Sequence, residues 1–145
     1  MSAIIRKMKE EDKSEVLEMM RIFYASPAVY TSGSEEIFAA DFDGCISDNP
    51  FIEGYVLEDC DNILGYSMIA KSFSTEFGKP CVWIEDLYIK PDYRGTGLGD
   101  KLMSFMTEQY CDCIFRLEVE EENKTAVKLY KKHGFVTLPY VEMKK

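Results

Sequence analysis

The sequence predicts a mixed α/β (α+β) domain on one twisted, mixed sheet, and three observations point there. Apolar residues alternate with period 2 through the middle of the chain and recur at helical spacing around it. Asp59-Cys60-Asp61-Asn62 separates two strand-like runs as a hairpin turn does, which makes that pairing antiparallel. Strand, helix and strand then follow one another from residue 82 to 119, a crossover unit whose two strands are parallel neighbours. The expected order is β-α-α-β-β-β-α-β-α-β(-β), in a single domain over residues 1–145.

Each element has its own signal. Ala3–Arg6 reads as a short strand. From Glu11 to Tyr24, Val16, Met20 and Phe23 share a helical face, and Ser26-Pro27 stops it. Ser32 and Glu35 have capping-box spacing before a second helix, with Ile37, Phe38, Phe42 and Ile46 on its apolar side. Asp48-Asn49-Pro50 breaks that helix. Glu53–Glu58, Ile63–Phe73 and Val82–Ile89 read as strands, with a loop at Glu76–Pro80. Leu98, Leu102 and Phe105 mark a helix over Gly97–Gln109. Ile114–Val119 is a strand, Asn123–His133 a helix ended by Gly134, and the tail supplies one or two short strands.

Composition narrows the function. The 145 residues carry 17 Lys/Arg against 26 Asp/Glu, a net charge of −9, which argues against nucleic acid as a partner. No apolar run approaches the ~18 residues of a membrane span, and the start lacks the apolar core of a signal peptide. Five cysteines without framework spacing fit reduced thiols and a cytoplasmic setting, with Cys111-x-Cys113 a turn. One histidine offers little for a metal site, and none is expected. His133 is expected to cap its helix. The charge is uneven: residues 1–70 hold 5 Lys/Arg against 14 Asp/Glu, while residues 71–145 hold 12 of each.

The most informative segment is Tyr93-Arg94-Gly95-Thr96-Gly97-Leu98-Gly99-Asp100-Lys101, between a strand and an amphipathic helix. Glycines there permit positive φ and close approach of a ligand. The first helical turn offers unpaired N–H donors to a phosphate, and Lys90, Arg94 and Lys101 add positive charge. A Walker loop would need Gly-Lys-Ser/Thr where Asp100-Lys101-Leu102 stands, and a dinucleotide fingerprint would need glycine in place of Asp100.

Arg94-Gly95-Thr96-Gly97-Leu98-Gly99 resembles the Arg/Gln-x-x-Gly-x-Gly/Ala acetyl-CoA signature of the GNAT superfamily of N-acetyltransferases. Leu87–Tyr93 is similar to the strand and turn leading into it. Asn123-Lys124-Thr125-Ala126…Tyr130, followed by Gly134-Phe135, resembles the second hallmark, Asn-x-x-Ala-x-x-x-Tyr then Gly-Phe. The likeness is close over 82–135 and rests on element order alone over 1–73. It implies a GNAT-like sheet whose parallel strands splay around Leu87 and Leu117 into a cleft for CoA. Pantetheine would pair with backbone groups of Leu87 and Ile89, with Tyr88 between them also at the cofactor, and the pyrophosphate with N–H groups from Arg94, Gly95, Thr96, Gly97, Leu98, Gly99 and Asp100. Asn123 would hold a pantetheine amide, a role compatible with a helix N-cap. Tyr130 would be the general acid for the departing thiolate, since a phenol stays protonated at working pH.

Glu85 and Asp86 interrupt an otherwise apolar strand. Adjacent strand residues point to opposite faces, so at least one carboxylate faces a covered surface or a cleft. A carboxylate there could deprotonate an amine directly or through water. Ile84-Glu85-Asp86-Leu87 resembles the Leu-Glu-Asp-Phe segment of the polyamine and thialysine acetyltransferase branch, which implies Glu85 as base or water-positioner and Asp86 as acceptor ligand. Tyr24, Tyr30 and Tyr66 are candidates to line the acceptor pocket. Only ten residues follow Phe135, fewer than the hairpin that walls this pocket in many GNATs. The expected function is acetyl transfer from acetyl-CoA to a primary amine by direct attack, on a small cationic acceptor or a peptide amine, in a monomer or homodimer. A catalytically idle acetyl-CoA-binding module is the reading from another class.

Overall fold

The computed structural model describes residues 2–145. Five strands, β1 (Ile4–Lys7), β2 (Ile52–Asp59), β3 (Asn62–Ser74), β4 (Lys79–Ile89) and β5 (Ile114–Leu117), form one sheet in chain order. The pairings from β1 to β4 are antiparallel and β4 pairs with β5 in parallel, so the sheet is mixed as expected. Helices α1 (Lys13–Tyr24) and α2 (Glu35–Cys45) cover one face, and α3 (Leu98–Gln109) and α4 (Lys124–Lys132) cover the other.

Coverage on both faces explains the long apolar runs of the central strands. Tyr55, Leu57, Leu64, Ile69, Val82 and Ile84 pack against Leu102, Met103 and Met106 of α3. Val56, Tyr66, Met68 and Tyr88 pack instead against Val16, Met19 and Met20 of α1 and Phe38 and Phe42 of α2. The β2–β3 connection is a tight turn with Cys60 and Asp61 both at positive φ, the geometry whose twist matches paired antiparallel strands.

Two expectations are corrected. The cap of α2 is Ser34, whose hydroxyl accepts from the Ile37 N–H at 3.2 Å, and not Ser32. Gly33 turns the chain between them, leaving Ser34 with the extended backbone a cap needs. Phe38 and Phe42 then take the buried face, while Ile37 is half exposed. The second correction is the tail, which forms no strand over residues 136–145. Pro139 has no N–H to give a ladder, and Val136, Val141 and Met143 lie in solvent. The sheet therefore ends at β5.

Candidate active site

The centre of the molecule is a defect in β4. Its register on β3 runs Ile84 to Ile69, then Asp86 to Met68, which leaves Glu85 as the extra residue of a β-bulge. The bulge cancels the alternation that would have sent Glu85 and Asp86 to opposite faces. Both carboxyls feel the charge of Asp41 on α2, and Asp86 feels Glu85. Their fates differ. Glu85 is open to solvent, whereas Asp86 is 3% exposed.

At the same point β4 loses its other neighbour. The parallel ladder to β5 runs from Cys81–Ile114 to Ile84–Leu117 and stops, so Glu85 to Ile89 have no strand on that side. Leu87, Tyr88 and Ile89 thus lie along one wall of a V. The Ile89 carbonyl is engaged by Arg94 Nε at 2.7 Å, and the guanidinium lies over the Tyr88 ring, 5.3 Å from its centroid.

The glycine turn lies at the mouth of the V. Gly95 and Gly97 sit at φ 75° and 88°, and a Cβ at either would meet no atom within 4 Å, so the turn faces open space. Gly97 is the N-cap of α3. The Arg94 N–H is used by the Pro91 carbonyl, but none of the backbone N–H groups from Gly95 to Asp100 donates to another described residue. A run of unpaired donors at a helix start is the form that cradles a phosphate or pyrophosphate. The residues therefore fit the pyrophosphate of CoA by donor count and open approach.

Side chains around this turn serve packing more than charge. Gly99 admits Leu129 of α4, since a Cβ there would come within 3.0 Å of it. Asp100 binds Lys132 at 3.1 Å and His133 at 2.8 Å, tying α3 to α4, so His133 ends its helix against a carboxylate. Thr96 closes the turn through its hydroxyl on the Tyr93 carbonyl, and Leu98 is buried. The expected cations are already engaged: Lys90 pairs with Glu15 at 3.1 Å, and Lys101 Nζ donates to the Ala3 carbonyl. Backbone N–H groups and the helix end are what this site offers an anion.

Across the V, Asn123 caps α4 by accepting from the Ala126 N–H at 3.3 Å, which leaves its amide NH2 without a described partner. Tyr130 is 9% exposed, with its ring 5.8 Å from Phe135. Its hydroxyl makes no hydrogen bond among the described residues. It is also not sealed, because the one sealed and unpartnered side-chain polar atom among them is Tyr88 OH. Burial pushes Tyr130 up to about 12, so its phenol is protonated at neutral pH.

Asp86 is held between two phenols. Tyr24 donates to its Oδ1 at 2.7 Å and Tyr66 to its Oδ2 at 2.8 Å, and its backbone carbonyl accepts from Ser67 at 2.7 Å. Burial lifts the carboxyl to about 6 against the pull of those two donors. Both phenols are driven well above the ordinary tyrosine range by burial and by the Asp86 charge. Tyr30, by contrast, is 85% exposed, and the structure does not bring it to the bulge.

Three carboxyls absent from the sequence reading complete the surroundings. Asp41, half-buried on α2, is raised by burial. Glu118, just past β5, is raised to about 7 by a hydrogen bond with Glu142 of the tail and by burial. Partial desolvation and the Glu142 and Asp41 charges also raise Glu85. An acid beside Phe42 on an amphipathic helix was the one readable signal, whereas the Glu118–Glu142 pairing depends on where the tail lies.

Residues 6–135 match the family model described as Acetyltransferase (GNAT) family. The chain belongs to the GNAT acetyltransferases. It is 36% identical to a thialysine N-epsilon-acetyltransferase of Sus scrofa, over 92% of this chain and 84% of that protein. A Bos taurus protein of the same name is 33% identical over 96% and 87%. Among solved structures, AAC(6')-Iy in complex with the bisubstrate analogue CoA-S-monomethyl-acetylneamine superposes with a TM-score of 0.77. It is 15% identical, with 100% of this chain and 98% of that one covered. At that identity the likeness speaks to the fold. The GNAT chain described here is thus an N-acetyltransferase, and no helix among its described residues is long and apolar enough to cross a membrane.

Proposed function

We propose that this GNAT enzyme transfers the acetyl group of acetyl-CoA to a primary amine of a small cationic acceptor, polyamine-like or amino-acid-like, by direct attack in a ternary complex. One observation carries the reading: β4 loses its parallel partner after Ile84 and bulges at Glu85, so an open cleft and a solvent-facing carboxylate occur together.

When bound, acetyl-CoA supplies an acetyl group activated as a thioester. The N–H groups of Gly95 to Asp100 hold the pyrophosphate, the backbone at Leu87 to Ile89 aligns pantetheine, and the free Asn123 NH2 binds one of its amides. Glu85 takes the acceptor's ammonium proton directly or through a water, and its raised pKa narrows the gap to an amine near 10.4. Asp41, Glu85 and Asp86 make this side of the sheet attractive to cations, with Asp86 acting through its charge because its oxygens are engaged. Tyr130 holds the proton that the departing thiolate needs.

The test is release of CoA thiol from acetyl-CoA with spermidine, thialysine, lysine and a basic peptide, with products identified by mass. A small diamine or amino acid is expected to turn over best. Tyr130→Phe is expected to lose a hundredfold or more, roughly the lower end of general acid catalysis, while keeping its affinity for CoA. No thiol release despite bound acetyl-CoA would leave an idle binding module.

A further inference from the structure

Tyr24 is the last residue of α1, and the ten residues after it lead to α2 without helix or strand. This connection leaves α1 from the residue bonded to Asp86, beside the bulge, and both of its ends meet the same phenol. The chain leaves from Tyr24, then returns at Gly33, where an added Cβ would lie 3.5 Å from the Tyr24 ring and 2.5 Å from Phe38. The Tyr24 and Phe38 rings pack 5.2 Å apart at a tilt of 43°, which joins the first turn of α2 to the same point. What fixes Tyr24 to the sheet is its bond to Asp86, and what orients Asp86 is Tyr66, which is wholly buried.

We infer that Tyr24 and Tyr66 are positioning residues for the acceptor: through Asp86 they clamp both ends of the α1–α2 connection onto the bulge that presents Glu85. The inference rests on the reading of Glu85 as the group that faces the acceptor. The clamp has the form expected of one, since a buried carboxylate with two converging phenol donors has little freedom to rotate. The groups that face Asp86 are Tyr24 from α1, Asp41 and Cys45 from α2, Tyr66 from β3 and Glu85 from β4. The two phenols stabilise the ionised form, whereas Asp41 and Glu85 oppose it. Removing a phenol donor therefore favours protonation of Asp86, which leaves the clamp with one acceptor oxygen fewer.

Tyr24→Phe and Tyr66→Phe separate this role from plain packing, since each keeps the ring. Chymotrypsin probes the connection directly, because Tyr30 is its exposed aromatic residue. Tyr24→Phe is expected to speed appearance of the fragment ending at Tyr30 roughly tenfold, the low-end worth of a hydrogen bond to a charged group. With thialysine or spermidine as acceptor and acetyl-CoA as donor, the same variant is expected to raise the acceptor KM by a similar factor while leaving kcat and the acetyl-CoA KM near wild type. Tyr66→Phe is expected to move the acid limb of the pH–rate profile upward. Melting points that fall while cleavage, acceptor KM and acid limb all stay at wild-type values would overturn the inference. Proteolysis decides it even where none of these amines is acetylated, and Tyr24→Phe decides it if Tyr66→Phe fails to fold.

Discussion

Asp86 shows how a single carboxyl sets stability against function. Its pKa is raised on folding from 3.8 to about 6, so between those values the folded protein binds more protons than the unfolded one. Stability from this group is complete below the unfolded pKa and is lost as pH rises through the folded one, an effect of about 3 kcal/mol across two pKa units. Asp86→Asn removes that ionisation at constant shape. The variant is expected to unfold at higher denaturant than wild type at pH 7.5, by roughly 1–3 kcal/mol, with the gap closing toward pH 4. Denaturant titrations across that range check it. Glu85, Asp86, Tyr130 and Asn123 could all be singled out as candidates from the sequence. The partners of Asp86 were not, because Tyr24 and Tyr66 are 62 and 20 residues away and nothing local marks a long-range hydrogen bond.

At the scale of elements, local signals held where one face or one turn decides the outcome. The hairpin at Cys60-Asp61, the strand–helix–strand crossover and the glycine turn all obey nearest-neighbour chemistry, and each stands where the sequence put it. Two features escaped. The bulge at Glu85 is set by the register of two strands at once, so single-strand alternation could not reveal it. The tail has apolar residues enough for a strand but lacks a partner that accepts Pro139. The glycine turn offers a direct check. Gly97→Ala places a side chain at φ 88°, and since nothing blocks its Cβ, the penalty is conformational alone. Loss of about 1–2 kcal/mol of stability is expected, with weaker CoA binding by calorimetry, as the N–H groups that follow are re-aimed.

Across the whole molecule, the charge asymmetry acquires a geography. Many acids of the first half are neutralised nearby: Arg6 holds Asp12 and Glu58, Arg21 holds Glu18 and Glu35, and Lys13 holds Asp43. Asp41 has no such partner among the described residues, and with Glu85, Glu118 and Glu142 it forms the uncompensated acidic part of the surface beside the bulge, above the buried Asp86. Binding of a multiply charged amine is therefore expected to weaken as salt rises from 0.05 to about 0.5 M, because the Debye length shrinks below the spacing of such charges. Acetyl-CoA binding, which on the proposed reading relies on backbone donors in contact, is expected to change less. Titrations of each ligand at several salt concentrations separate the two.

The ladder between β4 and β5 has consequences for the life of the protein between turnovers. Chain-order pairing lets β2, β3 and β4 zip as a meander through short connections, whereas β5 joins only after a helix has crossed over, and by four residue pairs. That seam rests on a ladder as short as the one between β1 and β2, and short edge ladders are where local opening is expected. On the proposed reading, a donor molecule lying along the bare stretch of β4 would add the rungs that the polypeptide omits, so occupancy would stabilise the cleft.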